Sequence, residues 1–189
     1  MPSHFFVFNA PPFSLTKETL YSTEDSIKVE GMFIKAISDA FFLSNEFRKS
    51  LDLYYCTTYK SKPYTVTFNG ANLRYLGPSF FSAAHLLLRA INHIIDPTSK
   101  SGKLTPGLNI FEGSYEWILE KHIKDNCLKL IRTEMVSDNH QRKICKSNLF
   151  LFGFDNINLP ETYGKVSLGP MDIDEQVILT NYNLEMKEK

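Results

Sequence analysis

The chain has 189 residues, a length that suits one domain and leaves room for a substantial core. Hydrophobic residues make up 43% and charged residues 22%, ordinary globular usage that excludes a disordered or fibrous chain. Twenty-one basic side chains balance twenty-one acidic ones, so there is no overall basic excess, and any RNA contact must come from a local patch. Fifteen Phe and nine Tyr predict an aromatic-rich core. Cys56, Cys127 and Cys145 are odd in number and form no CxxC pair, which argues against a disulfide framework or a zinc site and for reduced thiols in the cytosol. The N-terminus lacks a basic leader, and no stretch approaches the roughly 18 apolar residues needed to span a membrane. The expectation is a soluble, cytoplasmic protein without metal.

Phe5 to Asn9 reads as a first strand, ended by Ala10-Pro11-Pro12. Ser22 with Asp25 three residues later resembles a helix start, and apolar residues from Ile27 to Phe41 predict a helix over 26–44. Leu51–Thr57 and Tyr64–Phe68 are rich in β-formers and read as strands. Asn69-Gly70 signals a turn before a short extended piece, Leu73–Leu76. A second helix is predicted from Ser79 to Ile94, with Ala83, Leu86, Leu87, Ala90, Ile91 and Ile94 on its buried stripe; His85 beside that stripe reads as a packed histidine rather than a base. A polar loop, Asp96–Pro106, precedes a possible strand at Gly107–Phe111 and a helix from Ser114 to Lys124 packing Trp117, Ile118 and Ile123. Cys127–Ile131 and Leu149–Phe152 read as buried strands. This alternation predicts an α/β fold with helices on the faces of a parallel or mixed sheet. Gln176–Tyr182 favours a strand on propensity alone, and Glu185–Lys189 reads as a frayed tail after a single domain over 1–184.

Four stretches together resemble the archaeal-type tRNA pseudouridine N1-methyltransferases of the SPOUT superfamily. They are Ser38-Asp39-Ala40-Phe41-Phe42-Leu43-Ser44 with Phe47-Arg48-Lys49; Phe68-x-Gly70-x-x-Leu73-Arg74-Tyr75-Leu76-x-Pro78; Thr105-Pro106-Gly107-Leu108; and Val166-Ser167-Leu168-Gly169-Pro170. The order and intervals match the family over nearly the whole chain. The resemblance implies a Rossmann-like SPOUT fold with a C-terminal trefoil knot, and a last helix after Gly169-Pro170. It also implies S-adenosylmethionine held by the knot loops, a homodimer, and N1-methylation of pseudouridine in the T-loop of tRNA.

Such a transfer is an in-line displacement that depends on alignment of donor and acceptor and on removal of a proton from nitrogen. Backbone groups of tight loops can hold the cofactor, so Gly and small residues carry weight. By resemblance, Gly153 opens the first cofactor loop, Leu168-Gly169-Pro170-Met171-Asp172-Ile173 forms the second, Leu130 and Ile131 end the strand before the third, and Gln176 falls near a cofactor-side Cys of the family. Arg48, Lys49 and Arg74 are the candidates for tRNA phosphates, with Arg89, Lys100 and Lys103 as further cations.

The chain also departs from the family pattern. Gly-Asp-His-x-Gly is replaced by Gly153-Phe154-Asp155-Asn156-Ile157, and Pro78 is followed by Ser79-Phe80-Phe81-Ser82 in place of an Asp-Glu-Arg-Asn run. The His-Asn-x-x-Asp ending becomes Asn181-Tyr182-Asn183-Leu184-Glu185. These changes leave the catalytic base unassigned, whether a side chain or water. An alternative expectation is therefore a catalytically degenerate SPOUT domain acting as an RNA-binding or dimerisation module. A small-molecule-binding α/β protein unrelated to RNA is a third.

Overall fold

A strand covered on both faces needs apolar side chains on both sides, and His4–Asn9 supplies them: Phe6 and Phe8 face one way, Val7 the other, and all are sealed from solvent. A computed structural model describes residues 4–20, 28–43, 46–100, 102–122, 127–132, 148–154, 157, 164–167 and 171–188. In chain order the elements are β1 (His4–Asn9), α1 (Lys17–Leu20), α2 (Lys28–Phe41), β2 (Phe42–Leu43), β3 (Glu46–Phe47), β4 (Leu51–Tyr59) and β5 (Lys62–Asn69). There follow α3 (Phe80–Ile95), β6 (Leu108–Glu112), α4 (Tyr115–His122), β7 (Cys127–Arg132), β8 (Asn148–Phe152), β9 (Gly164–Ser167) and α5 (Ile173–Glu188).

The main sheet has seven strands in the order β6-β5-β4-β1-β8-β7-β9. β4, β1, β8, β7 and β9 run parallel, while β5 is antiparallel to both β4 and β6. Helices cover both faces. On one side α2, α3 and α5 bury Ile34, Ile37, Leu87 and Val177 against Phe6, Phe8, Leu53 and Phe152. On the other, α4 lays Ile118 and Leu119 against Val7, Tyr54, Cys56 and Leu151. The result is a mixed α/β architecture compatible with a Rossmann-like layout. The expected knot falls on the connections 133–147, 158–163 and 168–170, outside the described residues.

The predicted strands and long helices form near their expected bounds, and the aromatic core is present: Phe6, Phe8, Phe41, Phe68, Phe152 and Phe154 are fully buried. Ser22 and Asp25 lie outside the described residues. Leu73–Leu76 is not a strand: Tyr75 has φ 67°, a left-handed conformation that interrupts extended backbone. Gln176–Tyr182, strand-like by propensity, is helix. Val177, Asn181 and Leu184 recur at helical spacing and are buried, so packing overrides β-propensity. α5 runs on to Glu188, through most of the segment expected to fray. Trp117, expected to pack, is 47% exposed, because α4 turns Ile118 and Leu119 to the sheet. His85 is exposed rather than packed, and its ring shares a hydrogen bond with the Phe81 carbonyl. Among the described residues no helix is long and apolar enough to cross a membrane, and no group of His, Cys, Asp and Glu could hold a metal ion.

Candidate functional site

After β1 the chain turns to β4 on one side, whereas after β8 it passes β7 and adds β9 on the other. Neighbouring strands whose connections leave in opposite directions open a crevice at their carboxyl ends, the usual ligand position in an open α/β sheet. Asn9 and Gly153 stand there. Asn9 Nδ2 donates to the Gly153 carbonyl at 3.0 Å, which ties the end of β1 to the loop leaving β8. Gly153 has φ +77°, and a Cβ would come within 2.7 Å of Phe33 Cζ and 2.8 Å of the Asn9 carbonyl. Only glycine suits that turn. The next residue, Phe154, is fully buried and meets Tyr115 edge-on at 5.0 Å.

The predicted cofactor segments leave three neighbouring strands at this same edge. Leu130 pairs in register with Leu151, two residues before Gly153. Ile131 pairs with Val166 and Arg132 with Ser167, immediately before Leu168. Leu168, Gly169 and Pro170 themselves lie outside the described residues.

Beyond them the chain enters α5. Asp172 N–H donates to Glu175 Oε2 at 3.1 Å, a carboxylate serving a helix amino end, and Ile173 is buried in the core. Gln176 is buried; its Nε2 donates to the Met171 carbonyl at 2.9 Å, while its Oε1 has no hydrogen-bond partner among the described residues. One turn on, Thr180 Oγ1 is likewise buried and without a partner among the described residues. Such atoms are uncommon, since burial without a partner is unfavourable. The neighbouring face of α2 is charged: Lys35 forms an ion pair with Asp174, and this hydrogen bond holds its ammonium above the usual range. Burial pushes the Asp39 carboxyl up, against the pull of Lys35 and with a smaller push from Asp174, and Asp39 Oδ2 accepts no hydrogen bond from the described residues.

The expected RNA residues are elsewhere. His4 pairs with Leu51, so the segment before β4 lies at the amino end of the parallel strands, about 17 Å from the crevice at roughly 3.3 Å per residue. Arg48 donates from Nη1 to Asn181 Oδ1 at 2.9 Å and from Nη2 to Glu185 Oε1 at 3.2 Å, and its side chain is only 11% exposed. Its charge is engaged inside the fold. Lys49 and Arg74 are exposed at that end, as are Lys100 and Lys103 elsewhere on the surface; Arg89 is half-buried.

Three of the four stretches that carry the family resemblance are knit together at this amino end. Ser38 Oγ donates to the carbonyls of Gly77 and Ser79, each at 3.2 Å. Asn69 N–H donates to the Gly107 carbonyl at 2.8 Å and Arg74 N–H to that of Pro106 at 3.3 Å. Gly107, at φ +79°, leaves no room for a Cβ against Leu73 N at 2.4 Å. Gly70 similarly touches the backbone of Arg48 and Leu51. These motifs build one end of the sheet.

Sequence reading missed Asn9, whose position at a strand end before Ala-Pro-Pro was the available signal. It also missed Glu30, a buried carboxylate that accepts from Ser14 N–H at 3.1 Å and Leu15 N–H at 3.4 Å and so fixes the loop after β1. Nothing local in the sequence marks that role. No protein-family model matches the chain, and no curated protein matches it.

Proposed function

We propose that the chain is a divergent SPOUT-type methyltransferase that transfers a methyl group from S-adenosylmethionine to N1 of pseudouridine in the T-loop of tRNA, working as a homodimer with a knotted C-terminal region. The observation that carries this reading is that β7, β8 and β9, the strands before the expected cofactor loops, end side by side on one carboxyl edge beside the β1/β8 crevice. Gln176 fits a cofactor of this kind: a buried acceptor with no partner among the described residues, near the expected second loop, suits a ligand N–H group.

When bound, the sulfonium supplies an electrophilic methyl group and needs no metal. The chain's part is positioning. Gly153 turns the β8 loop sharply, Asn9 fixes that turn through its carbonyl, and Phe33 closes the space behind it. Ile173 anchors the start of α5 in the core, so that Gln176 is held in a fixed orientation. Alignment of this sort can supply a large part of a barrier reduction. Ile178, Tyr182 and Met186, exposed along one side of α5, support pairing with a second copy.

Calorimetric titration with S-adenosylmethionine tests the reading. We expect one site per subunit, weakened about tenfold by Gln176→Leu, with circular dichroism unchanged. Absence of heat at millimolar ligand from folded protein overturns it. In that event the exposed Ile178, Tyr182 and Met186 of α5 favour the second reading: a degenerate SPOUT domain acting as an RNA-binding or dimerisation module.

A further inference from the structure

On the face of the sheet that carries α4, the helix covers β4 only in part. Beside it lies an open groove of about 260 Å³ whose lining includes Asp52, Thr67, Asn69, Phe111, Trp117 and Lys121. Strand register accounts for the set. Asp52 pairs with Asn69 and Thr65 with Phe111, so these side chains and that of Thr67 share one face of β4, β5 and β6. Trp117 and Lys121 reach the groove from α4 because Ile118 and Leu119 take up its sheet-facing side.

The groove has three distinct kinds of surface. Phe111 and Trp117 stand 5.0 Å apart with their rings 67° to one another, forming an aromatic corner. Lys121 Nζ sits 5.0 Å from the centroid of the Trp117 ring and is exposed. Asp52 is held in place: its Oδ1 accepts from Asn69 Nδ2 at 2.8 Å and from Gly70 N–H at 3.2 Å. Its Oδ2 accepts no hydrogen bond from the described residues. A rigid acceptor, an aromatic wall and a cation therefore face one cavity the size of a single heterocycle. The exposed Lys49 and Arg74 lie at this same amino end of the sheet.

We propose that this groove binds one unpaired, amino-bearing nucleobase of an RNA strand, cytosine being the reference case. The exocyclic amine donates to Asp52 Oδ2, the ring lies against Trp117, and a flanking phosphate meets Lys121. Carboxylates accept from the cytosine amine, bases stack on aromatic side chains, and lysine neutralises phosphate. Uracil presents a carbonyl where cytosine has its amine, and Asp52 repels it. The site is separate from the carboxyl-edge crevice, and a domain without methyltransferase activity would keep it.

Trp117 is the single tryptophan of the chain, so its fluorescence reports the groove directly. The experiment is a titration of the full chain with CMP and with UMP. CMP should quench saturably at millimolar or lower concentration, with UMP about tenfold weaker. In Asp52→Asn the amide oxygen keeps the bonds from Asn69 and Gly70 while its N–H₂ faces the ligand, so the preference should invert toward UMP. Lys121→Ala should abolish the advantage of CMP over cytidine. Equal quenching by CMP and UMP, unsaturable quenching, or an unchanged preference in Asp52→Asn that is folded by circular dichroism overturns the proposal. None of these outcomes bears on S-adenosylmethionine binding.

Discussion

Arg48 Nη1 and Asn181 Oδ1 are joined by a 2.9 Å hydrogen bond that ties the segment before β4 to the middle of α5. Asn181 is fully buried, and its Nδ2 donates to the carbonyls of Asp39 at 2.9 Å and Ala40 at 3.1 Å. Carbonyls at a helix end have no partner within the helix, so a side chain from α5 completes the end of α2. Asn181→Ala should lower the unfolding free energy by about 3 kcal/mol, read as a shifted urea midpoint. Arg48→Ala should cost about 2 kcal/mol, because Asn181 Oδ1 and Glu185 lose a charged donor. It should also change stability more than RNA affinity. The opposite ranking would return Arg48 to the candidates for RNA contact.

Gly153 and Gly77 should respond differently to alanine. At Gly153 the backbone has φ +77° and the new Cβ meets Phe33 and the Asn9 carbonyl, so Gly153→Ala should cost about 2–4 kcal/mol in thermal or chemical denaturation. At Gly77 the nearest atoms, Ser82 Oγ and Cβ, are 3.6 and 3.7 Å away, so Gly77→Ala should stay within about 0.5 kcal/mol of the parent. Equal losses at the two positions would show that the Gly153 turn is not strained by a side chain.

The elements that periodicity reveals are those whose burial is set by their own residues. β1 and β8 are apolar on both faces, and α3 carries an unbroken buried stripe capped by Ser79. Leu73–Leu76 was misread because its conformation is fixed from outside, by Pro106 and Gly107 packing against it. α5 was ambiguous for a similar reason: Ile178 and Tyr182 on its outer side carry β-propensity, while only contact with α2 fixes the helix. The Gly153 turn was legible, since glycine after a buried strand marks a reversal. The Asp52, Trp117 and Lys121 groove was not, because those residues come from two elements far apart in sequence and meet only through sheet register.

The Asp39 carboxyl should make stability fall with rising pH. Burial raises its pKa in the folded chain above the ordinary 3.8, so the folded state binds more protons between the unfolded and folded values. That contribution is absent at pH below the unfolded value, develops as pH rises through the window, and remains as a loss at neutral pH. Asp39→Asn should therefore stabilise the chain at pH 7, and the gain should fade in strong acid. A gain independent of pH, measured by urea unfolding across that range, would point to a cause other than ionisation.

Cys56 is buried on β4, and desolvation pushes its thiol up to about 12, opposed by the hydrogen bond from Thr65 Oγ1 at 3.6 Å. The reactive species is the thiolate, so a neutral, covered thiol should be inert in the native state. In a Cys127→Ser, Cys145→Ser background, Ellman's reagent should modify Cys56 at least about a thousandfold more slowly in buffer than in urea. Fast native labelling would mean that α4 leaves the sheet readily.

Ile178, Tyr182 and Met186 follow one another at four-residue intervals on α5 and are 41%, 53% and 59% exposed. Four-residue spacing aligns them along one side of the helix, opposite the side that buries Val177, Leu184 and Asn181. The proposed dimer would bury this stripe, and in a two-fold dimer each substitution enters the interface twice. Sedimentation equilibrium should find a dimer at micromolar concentration, and Tyr182→Glu should weaken it by about a hundredfold or more through burial of two charges. Because Tyr182 is half-exposed in the single chain, the melting of the monomeric variant should remain cooperative. A wild-type chain that sediments as a monomer at high micromolar concentration would remove the dimer from the proposed function and leave the stripe to a different partner.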